Sequence, residues 1–428
     1  MQKGIKKIGW AGAAALVVAN MIGTGAFTTL GLQLEVLDYT WSILLLWTLG
    51  GVISLFGAFS YAELSTHLPR SGGEYHFLSK IIHPFVGYLS GWISLTVGFA
   101  AAIALAAMAV GAYLQEVLQW PSMAIALGIL VTVATIHSFS IRRSRNFQVL
   151  FTILMVLLLL FFIISGFWLD SPVDALRWGN GWKEEVLQPA FAVSLIYVLY
   201  AYSGWNAAAY IVEEVGQPRV NIPRALVFGT LLVTVLYLLL QVVFLRQVSA
   251  TALSGEVEVG QIVAEQMFGP LGGYWVSLAI AFFLVSSISA MIWVGPRVSR
   301  VMAEDYPLWR FLAYDNKKGI PVAAIWFQVA ISTALIISGS FETVLVYSGF
   351  VLQLSTALTV ASVFILRRRG LSGGFRSPGY PWFQIAFLIV SIWMMFFLLI
   401  DRPVESLLGM ANLLLGGLTY WVNRRMGT

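Results

Sequence analysis

The chain has 428 residues, of which 59% are hydrophobic and only 11% are charged, whereas soluble domains contain roughly 25% charged residues. This composition excludes a water-soluble globule, and the 14% aromatic content excludes a disordered chain. With no cysteine, four scattered histidines and a net charge of +5 spread between long apolar runs, the chain shows neither metal-site spacing nor the basic clusters of a nucleic-acid-binding domain.

Apolar windows of about 20 residues, long enough to cross the hydrocarbon core of a bilayer, occur twelve times along the chain. In the first half they predict spans at residues 9–32, 40–66, 84–113, 121–139, 147–169 and 189–213. In the second half they predict spans at residues 224–246, 271–303, 321–338, 341–366, 380–400 and 403–423. The sequence therefore predicts an all-α polytopic membrane protein with 12 transmembrane helices.

The loops between these spans differ in charge, and cytoplasmic loops are the ones that retain Lys and Arg. If the N-terminus is cytoplasmic, all but four of the 25 Lys and Arg residues lie on that side, including Lys3 and Lys6 and the loop residues Arg142, Arg143, Lys317 and Lys318. Only Arg177, Lys183, Arg246 and Arg402 remain for the other side. This bias predicts a multi-pass membrane protein with cytoplasmic N- and C-termini. The membrane expected for such a chain is the cell (inner) membrane.

Two of the predicted spans contain residues that interrupt a helix. Gly23 and Gly25 lie about halfway along the first span, and a glycine weakens a helix by about 1 kcal/mol relative to alanine. The sixth span carries a matching Ser203-Gly204 pair followed by Trp205 and Asn206. Close packing of helices is the alternative explanation for such small residues. Interruptions at corresponding places in two halves of a chain, however, indicate a transporter binding site.

An interrupted helix supplies groups that recognise an α-amino acid. The N-terminus of the half-helix after the first break offers N–H groups of Gly23, Thr24 and Gly25 to a carboxylate. Carbonyl groups at the ends of the preceding half-helices, around residues 19–22 and 200–202, would accept hydrogen bonds from an ammonium group. A zwitterionic headgroup fits both, and it requires no charged side chain.

Four motifs in the predicted order resemble those of the amino acid-polyamine-organocation (APC) superfamily, especially bacterial permeases and relatives of the L-type amino acid exchangers. They are Ile22-Gly23-Thr24-Gly25-Ala26-Phe27, Tyr61-Ala62-Glu63-Leu64 with Pro69-Arg70-Ser71-Gly72-Gly73-Glu74-Tyr75, Gly204-Trp205-Asn206 with Glu213-Glu214 and Asn221-Ile222-Pro223-Arg224, and Gly295-Pro296-Arg297-Val298. The resemblance implies a 5+5 inverted repeat of the LeuT-like kind, with discontinuous helices 1 and 6. The repeats would be residues 1–169 and 189–366, followed by two C-terminal spans in residues 380–428.

The resemblance also implies roles for single residues. Tyr200 looks like an aromatic gate that closes over bound substrate, and Ser203 stands where related exchangers often have glycine, so it should narrow the pocket. Trp205 and Asn206 would line or brace the cavity, or else pack against and cap the second half-helix. The predicted substrate-binding residues are Ile22, Gly23, Thr24, Gly25, Tyr200, Ala201, Ser203, Trp205 and Asn206.

The sequence leaves three options for the ion that drives amino acid transport. Several family members place a lysine in the fifth span where sodium-driven relatives bind Na⁺, but the frame of Gln148, Phe151 and Thr152 puts Met155 there. Coupling could use Na⁺, use H⁺ bound elsewhere, or be replaced by uncoupled exchange. Because Na⁺ prefers oxygen ligands, its predicted ligands are Ala19, Ile22, Ser286, Ser287 and Ser289. Hydrogen bonds between helices are the alternative explanation for the serines.

Three acidic residues near the cytoplasmic ends of spans are further candidates. We expect Glu63 to reach interfacial water or a structural partner, with a coupling role as the alternative. Glu213 and Glu214 could form a gating ion pair with Arg219 or Arg224, although solvated charges are commoner.

These patterns favour a secondary active transporter, symporter or exchanger, of neutral L-amino acids that works by alternating access and is not an enzyme. A polyamine or amine transporter would need an acidic side chain near residues 200–206, and the nearest acids along the chain are Glu213 and Glu214. A transporter-like nutrient sensor would need a soluble extension. The expected partners are the small-molecule substrate and the lipid bilayer, with no cofactor and, since cysteine is missing, no disulfide-linked ancillary subunit.

Overall fold

The structure is a computed structural model that describes residues 7–139, 144–171, 177–316, 319–370 and 374–426. The side chains of residues 144–149, 151 and 297 also lie outside the description. Several charges used above to predict orientation therefore lie outside the described residues, namely Lys3, Lys6, Arg142, Arg143, Lys317 and Lys318.

The described part of the chain folds into helices. The first half contains α1 (Trp10–Met21), α2 (Gly25–Leu34), α3 (Thr40–His67), α4 (Gly73–Ile81), α5 (Pro84–Ile93), a π-helical segment (Ser94–Gly98), α6 (Ala100–Leu118), α7 (Ser122–Phe139), α8 (Ser144–Trp168) and α9 (Trp182–Glu185). The second half contains α10 (Pro189–Tyr202), a 3-10 segment (Ala207–Glu214), α11 (Pro218–Gln247), α12 (Ala250–Leu253), α13 (Val259–Asp305), a 3-10 segment (Pro307–Ala313), α14 (Val322–Ser338), α15 (Phe341–Arg368), α16 (Trp382–Asp401) and α17 (Pro403–Met426). The prediction of an all-α protein is confirmed for these residues.

Each predicted span coincides with a helix or with a pair of helical segments. Within the described residues, eight helical stretches are long and apolar enough to cross a bilayer, and the first of them runs from Trp10 to Leu34 through the gap between α1 and α2. Two shorter apolar helices, Thr152–Trp168 and Val322–Ser338, match the fifth and ninth predicted spans. The sixth and twelfth predicted spans correspond to α10 with its 3-10 segment and to α17.

The surface of the bundle is apolar, as a lipid environment requires. On α16, Ile389, Ile392 and Phe396 recur at helical spacing and are each more than half exposed. In water such a stripe would be buried in a protein core. In a bilayer it faces lipid, and the helical backbone satisfies its own hydrogen-bonding groups.

Contacts between distant residues define two faces of the bundle. At the face where α1 begins, the N-terminal face, the backbone of Ile8 pairs with residues 214–216, and the ends of α3 and α15 meet through Glu63 and Arg367. At the opposite face, the start of α15 meets α10 and the α16–α17 junction. The two faces are therefore held by different sets of helix ends.

Candidate functional site

The first predicted interruption is present between α1 and α2. Helix α1 ends at Met21, Ile22 has extended backbone angles (φ −76°, ψ 93°), and α2 begins at Gly25. The phenol of Tyr237 donates a hydrogen bond to the carbonyl of Met21 (2.6 Å) and accepts one from the Gly23 backbone. Within the described residues, the N–H groups of Thr24 and Gly25 donate to no backbone carbonyl. The gap therefore leaves two N–H donors at the start of α2.

The second predicted interruption is present at the end of α10. The helix ends at Tyr202, Ser203 is extended (φ −55°, ψ 151°), and Gly204 adopts φ +98°, a left-handed value that favours glycine. The chain continues from Ala207 to Glu214 as 3-10 turns with a kink at Ile211 (φ −121°, ψ 26°). The second half of this span is thus wound more tightly than the α-helix that the apolar pattern suggested.

The two interruptions pack against each other. A side chain at Gly25 would collide with the backbone of Ala201, and one at Gly204 would collide with the carbonyl of Asn20. The hydroxyl of Tyr200 lies 3.2 Å from Oγ1 of Thr24 and so joins α10 to the first break. The glycines therefore allow the close approach of the two broken helices.

A cavity of about 670 Å³ surrounds this crossing, within the range typical of small-ligand sites. Its lining includes eight of the nine predicted substrate-binding residues, namely Gly23, Thr24, Gly25, Tyr200, Ala201, Ser203, Trp205 and Asn206. Ile22 is only 2% exposed and is not part of the lining, so the structure does not bring its side chain to the cavity. The cavity extends to Lys7, Ser71 and Glu214 at the N-terminal face.

Trp205 and Asn206 both line the cavity and also support its wall. The indole of Trp205 packs edge-on against Tyr61, with ring centres 4.8 Å apart. The side-chain amide of Asn206 donates to Oε1 of Glu74 and to the Tyr210 hydroxyl, each at 3.3 Å. Asn206 precedes the 3-10 segment but its side chain does not cap it, so the capping interpretation is not supported.

Other parts of the lining were missed by the sequence analysis. The π-helical segment and α6 contribute Ser94, Gly98, Ala102 and Ala106, and π-helical turns often occur at functional sites. Small residues at four-residue spacing could have signalled this wall, because they form one stripe along a helix. The matching stripe on α15 comprises Ser348, Leu352 and Thr356.

Glu74 is the acidic residue that the sequence analysis overlooked. It lies on α4, outside the helices long enough to cross a bilayer, is 4% exposed and lines the cavity. Its carboxylate accepts hydrogen bonds from Tyr61, Asn206 and Ser355. Burial raises the pKa of the Glu74 carboxyl, although these hydrogen bonds act in the opposite direction.

The predicted Na⁺ ligands are only partly brought together. Ala19 and Ser287 line the cavity, whereas Oγ of Ser289 lies 2.7 Å from Nε2 of His137 on α7. Residues two apart point about 160° apart around a helix, so Ser287 and Ser289 cannot face one ion. Oγ of Ser286 is buried and has no hydrogen-bond partner among the described residues.

Met155, predicted at the vacant cation position, is 5% exposed in the apolar core, while the side chains of Gln148 and Phe151 lie outside the description. The described residues contain no cluster of three His, Cys, Asp or Glu that could hold a metal ion.

The other predicted acids have structural contacts. Glu63 is 1% exposed and forms a two-pronged ion pair with Arg367, with N···O distances of 2.7 and 2.8 Å. The expectation of a structural partner for Glu63 is confirmed, and that partner is 304 residues away along the chain. Glu213 accepts a hydrogen bond from the backbone of Ser71 (3.1 Å).

Comparison with known proteins identifies the family. The model of the family described as amino acid permease matches residues 8–415. The chain belongs to the amino acid permease family. This permease is therefore an amino acid transporter of the membrane.

Among its relatives, the b(0,+)-type amino acid transporter 1 of Homo sapiens is 26% identical over 97% of this chain and 87% of its own length. The serine/threonine exchanger SteT of Bacillus subtilis (strain 168) is 27% identical over 95% of both chains. The large neutral amino acids transporter small subunit 2 of Homo sapiens is 26% identical over 97% of this chain and 80% of its own. The permease is thus similar to amino acid transporters over nearly its whole length.

Proposed function

We propose that this permease is a secondary active transporter that moves neutral L-amino acids across the cytoplasmic membrane by alternating access. The observation that carries the proposal is the crossing of two interrupted helices at one cavity. There the N–H groups of Thr24 and Gly25 donate to no backbone carbonyl of the described residues. Free N–H groups at the start of a half-helix bind a carboxylate. The relatives, which include a serine/threonine exchanger and a large neutral amino acids transporter subunit, support the same substrate class.

In this proposal the amino acid headgroup is bound by backbone atoms. The carboxylate accepts hydrogen bonds from the N–H groups at the first break. The ammonium group donates to carbonyls that the two helix ends release, in residues 19–22 and 200–202. The side chain then extends past Ser203 into the remaining cavity. Tyr200, whose hydroxyl already reaches Thr24, closes this site from the opposite face.

The membrane arrangement is part of the proposal. Twelve spans, with residues 1–169 and 189–366 as inverted repeats and residues 380–428 as two added spans, would bring the two breaks to corresponding depths. With the N-terminal face cytoplasmic, the cavity that reaches Lys7 and Glu214 would be open to the cytoplasm. Transport would then require the bundle to close here and open at the opposite face.

A specific observation also favours the second candidate, an amine or polyamine transporter. The sequence placed no acid near residues 200–206, but Glu74 lies beside Asn206 in the cavity wall. We nevertheless propose neutral amino acids, because three donors already occupy the Glu74 carboxylate and because an amine lacks the carboxylate that the N–H groups would bind. The coupling ion, Na⁺ near Ala19 and Ser287 or H⁺, remains part of the proposal.

A thermal-shift screen tests the substrate class. The purified permease would be heated with each amino acid, and with the amide and decarboxylated amine of each, in Na⁺ and in K⁺ buffers. Because a ligand stabilises the native state by mass action, neutral amino acids should raise the melting temperature and their amines should not. An amine that stabilises as well as its parent amino acid would favour the second candidate, and a shift that requires Na⁺ would support the sodium site.

A further inference from the structure

Glu74 joins two groups of helices through its two carboxylate oxygens. Oε1 accepts hydrogen bonds from Tyr61 on α3 and from Asn206 in the second interruption. Oε2 accepts a hydrogen bond of 2.9 Å from Ser355 on α15, and the Ser355 hydroxyl lies 3.0 Å from Ser90 on α5. A single buried carboxylate thus bridges the broken helix and its neighbour to a separate pair of helices.

The charge of this carboxylate is not neutralised by a cation. No Lys, Arg or His among the described residues forms an ion pair with Glu74. The titratable groups that face it are the phenols of Tyr61 and Tyr210, and α15 presents the hydroxyls of Ser355 and Thr356. Because an unpaired charge is costly to bury, a buried carboxylate surrounded only by neutral donors favours the uptake of a proton.

Charged groups do surround the neighbouring positions of α4. His76, two residues along the helix from Glu74, interacts electrostatically with Arg70, Lys80, Glu213 and Asp305. Asp305 accepts a hydrogen bond from the phenol of Tyr75 (2.5 Å). Glu74 is therefore the carboxylate of this helix that faces the cavity with neutral neighbours.

The hydrogen-bond chain can accommodate both charge states. When Glu74 is ionised, Ser355 donates to Oε2. When Oε2 carries a proton, it can donate to the Ser355 hydroxyl, which can turn and donate to Ser90, because hydroxyls both donate and accept. Neither state leaves a group without a partner, while Tyr61 and Asn206 keep donating to Oε1. The bonds to the ionised form are the stronger ones, so loss of the proton would tighten the junction between the two helix groups.

We propose that Glu74 binds the proton that is coupled to amino acid transport. The proton passes from a hydronium ion in the cavity to Oε2, forming the carboxylic acid and a water molecule, and its release to water reverses the step. Because Glu74 lines the same cavity as the two interruptions, proton and amino acid leave toward the same face. This inference rests on the proposed function and adds the coupling ion and its residue.

The test compares two assays in proteoliposomes with radiolabelled serine, threonine, alanine and leucine. Counterflow, with unlabelled amino acids inside and no pH gradient, measures the substrate pathway alone. Accumulation measures proton coupling. In this assay the vesicles contain no amino acid, the outside is acidic, and potassium with valinomycin clamps the membrane potential. For one proton per amino acid, a gradient of one pH unit supports about tenfold accumulation.

We expect wild-type permease to show both activities and Glu74→Gln to keep counterflow while losing pH-driven accumulation. Wild-type counterflow should also change as the pH rises through the raised pKa of Glu74, and Glu74→Gln should remove this dependence. Glu74→Asp should retain accumulation with a displaced pH profile. Glu213→Gln, the same change at an exposed glutamate of the same face, should behave as wild type.

Other outcomes separate the two proposals. Wild-type counterflow without pH-driven accumulation would overturn the proton site and leave amino acid transport standing, whereas the loss of both wild-type activities would overturn the proposed function. Accumulation by Glu74→Gln, or the loss of its counterflow in a folded protein, would overturn the role of Glu74. If Glu74→Gln does not fold, infrared spectroscopy of wild type and Glu74→Asp replaces it. The carbonyl band of a buried carboxylic acid is followed as the pH is raised. A band that does not respond to pH overturns the inference.

Discussion

The two ends of the central cavity are held in different ways. Toward the opposite face, Tyr200 meets Thr24, and Tyr197 and Arg402 share one oxygen of Glu342, each at 2.6 Å. The lining on this side ends at buried residues such as Ile196. Toward the N-terminal face the lining reaches exposed Lys7 and Glu214. Beside it, the ends of α3 and α15 are joined by the ion pair of Glu63 with Arg367.

This difference indicates where movement is possible. At the opposite face, Glu342 on α15 contacts Tyr197 on α10 and Arg402 between α16 and α17. Each hydrogen bond to such a charged group contributes only about 1.5–3 kcal/mol, so these contacts can break. At the N-terminal face, the buried pair of Glu63 with Arg367 joins α3 to α15 away from the cavity. We therefore expect the first set of contacts to open during transport and the ion pair to stay formed.

The largest effect is expected from filling the space between the two ends. A side chain at Gly23 would meet nothing within 4 Å, so Gly23→Val should fold normally and occupy the place of the substrate headgroup. We expect loss of amino acid uptake and of thermal stabilisation by amino acids. The matched control is Gly128→Val on α7, which also meets nothing within 4 Å but is outside the cavity. Full uptake by Gly23→Val would remove the first break from the binding site.

Gly25→Val is a poorer probe of the same site. Its side chain would collide with Ala201, so a loss of activity could reflect the packing of the two broken helices.

The second largest effect is expected at the ion pair of Glu63 with Arg367, which we expect to stay formed during transport. Arg367→Ala should leave the buried Glu63 without its cation and lower the stability by about 3–5 kcal/mol, measured as a lower melting temperature in detergent. Arg300→Ala removes an exposed partner of Glu304 and Asp315 and should cost at most about 1 kcal/mol. Equal melting temperatures for the two variants would contradict the assignment of Glu63 and Arg367 as a fixed anchor.

A smaller effect is expected in the middle of the cavity. Ser203→Gly removes a hydroxymethyl group from the lining, so larger side chains such as leucine should gain relative to serine. A change of this size in a pocket alters discrimination by about 1–3 kcal/mol. The measurement is the ratio of uptake rates for leucine and serine in competition. An unchanged ratio with normal folding would mean that Ser203 does not contact the substrate side chain.

The smallest effect is expected at the opposite face, where weakening the contacts of Glu342 should make the outward-open state more populated. Glu342→Gln weakens the contacts to Tyr197 and Arg402 and should favour the outward-open state by about 1 kcal/mol. Because the chain has no cysteine, a single Ile196→Cys reporter can be labelled from outside with an impermeant thiol reagent. Labelling should be faster with Glu342→Gln and unchanged with Glu405→Gln at the same face. Identical rates in all three proteins would show that these bonds do not limit opening.

The sequence by itself predicted the helices and the two interruptions around which the cavity forms. Apolar runs of bilayer length require helices, since only internal hydrogen bonds satisfy the backbone in lipid. Glycines inside such runs mark breaks because they weaken a helix locally. Both signals depend on residues that are close together in the chain, and eight of the nine residues predicted around the breaks line the cavity.

The tertiary structure decided which residues from distant segments meet. The partner of Glu63 is Arg367, the bridge from Glu74 reaches Asn206 and Ser355, and Ser289 contacts His137. No local pattern predicts these pairs, because each depends on the rotation and depth of separately formed helices. The sequence thus determined where the two helices break, and helix packing determined which carboxylate lies beside those breaks.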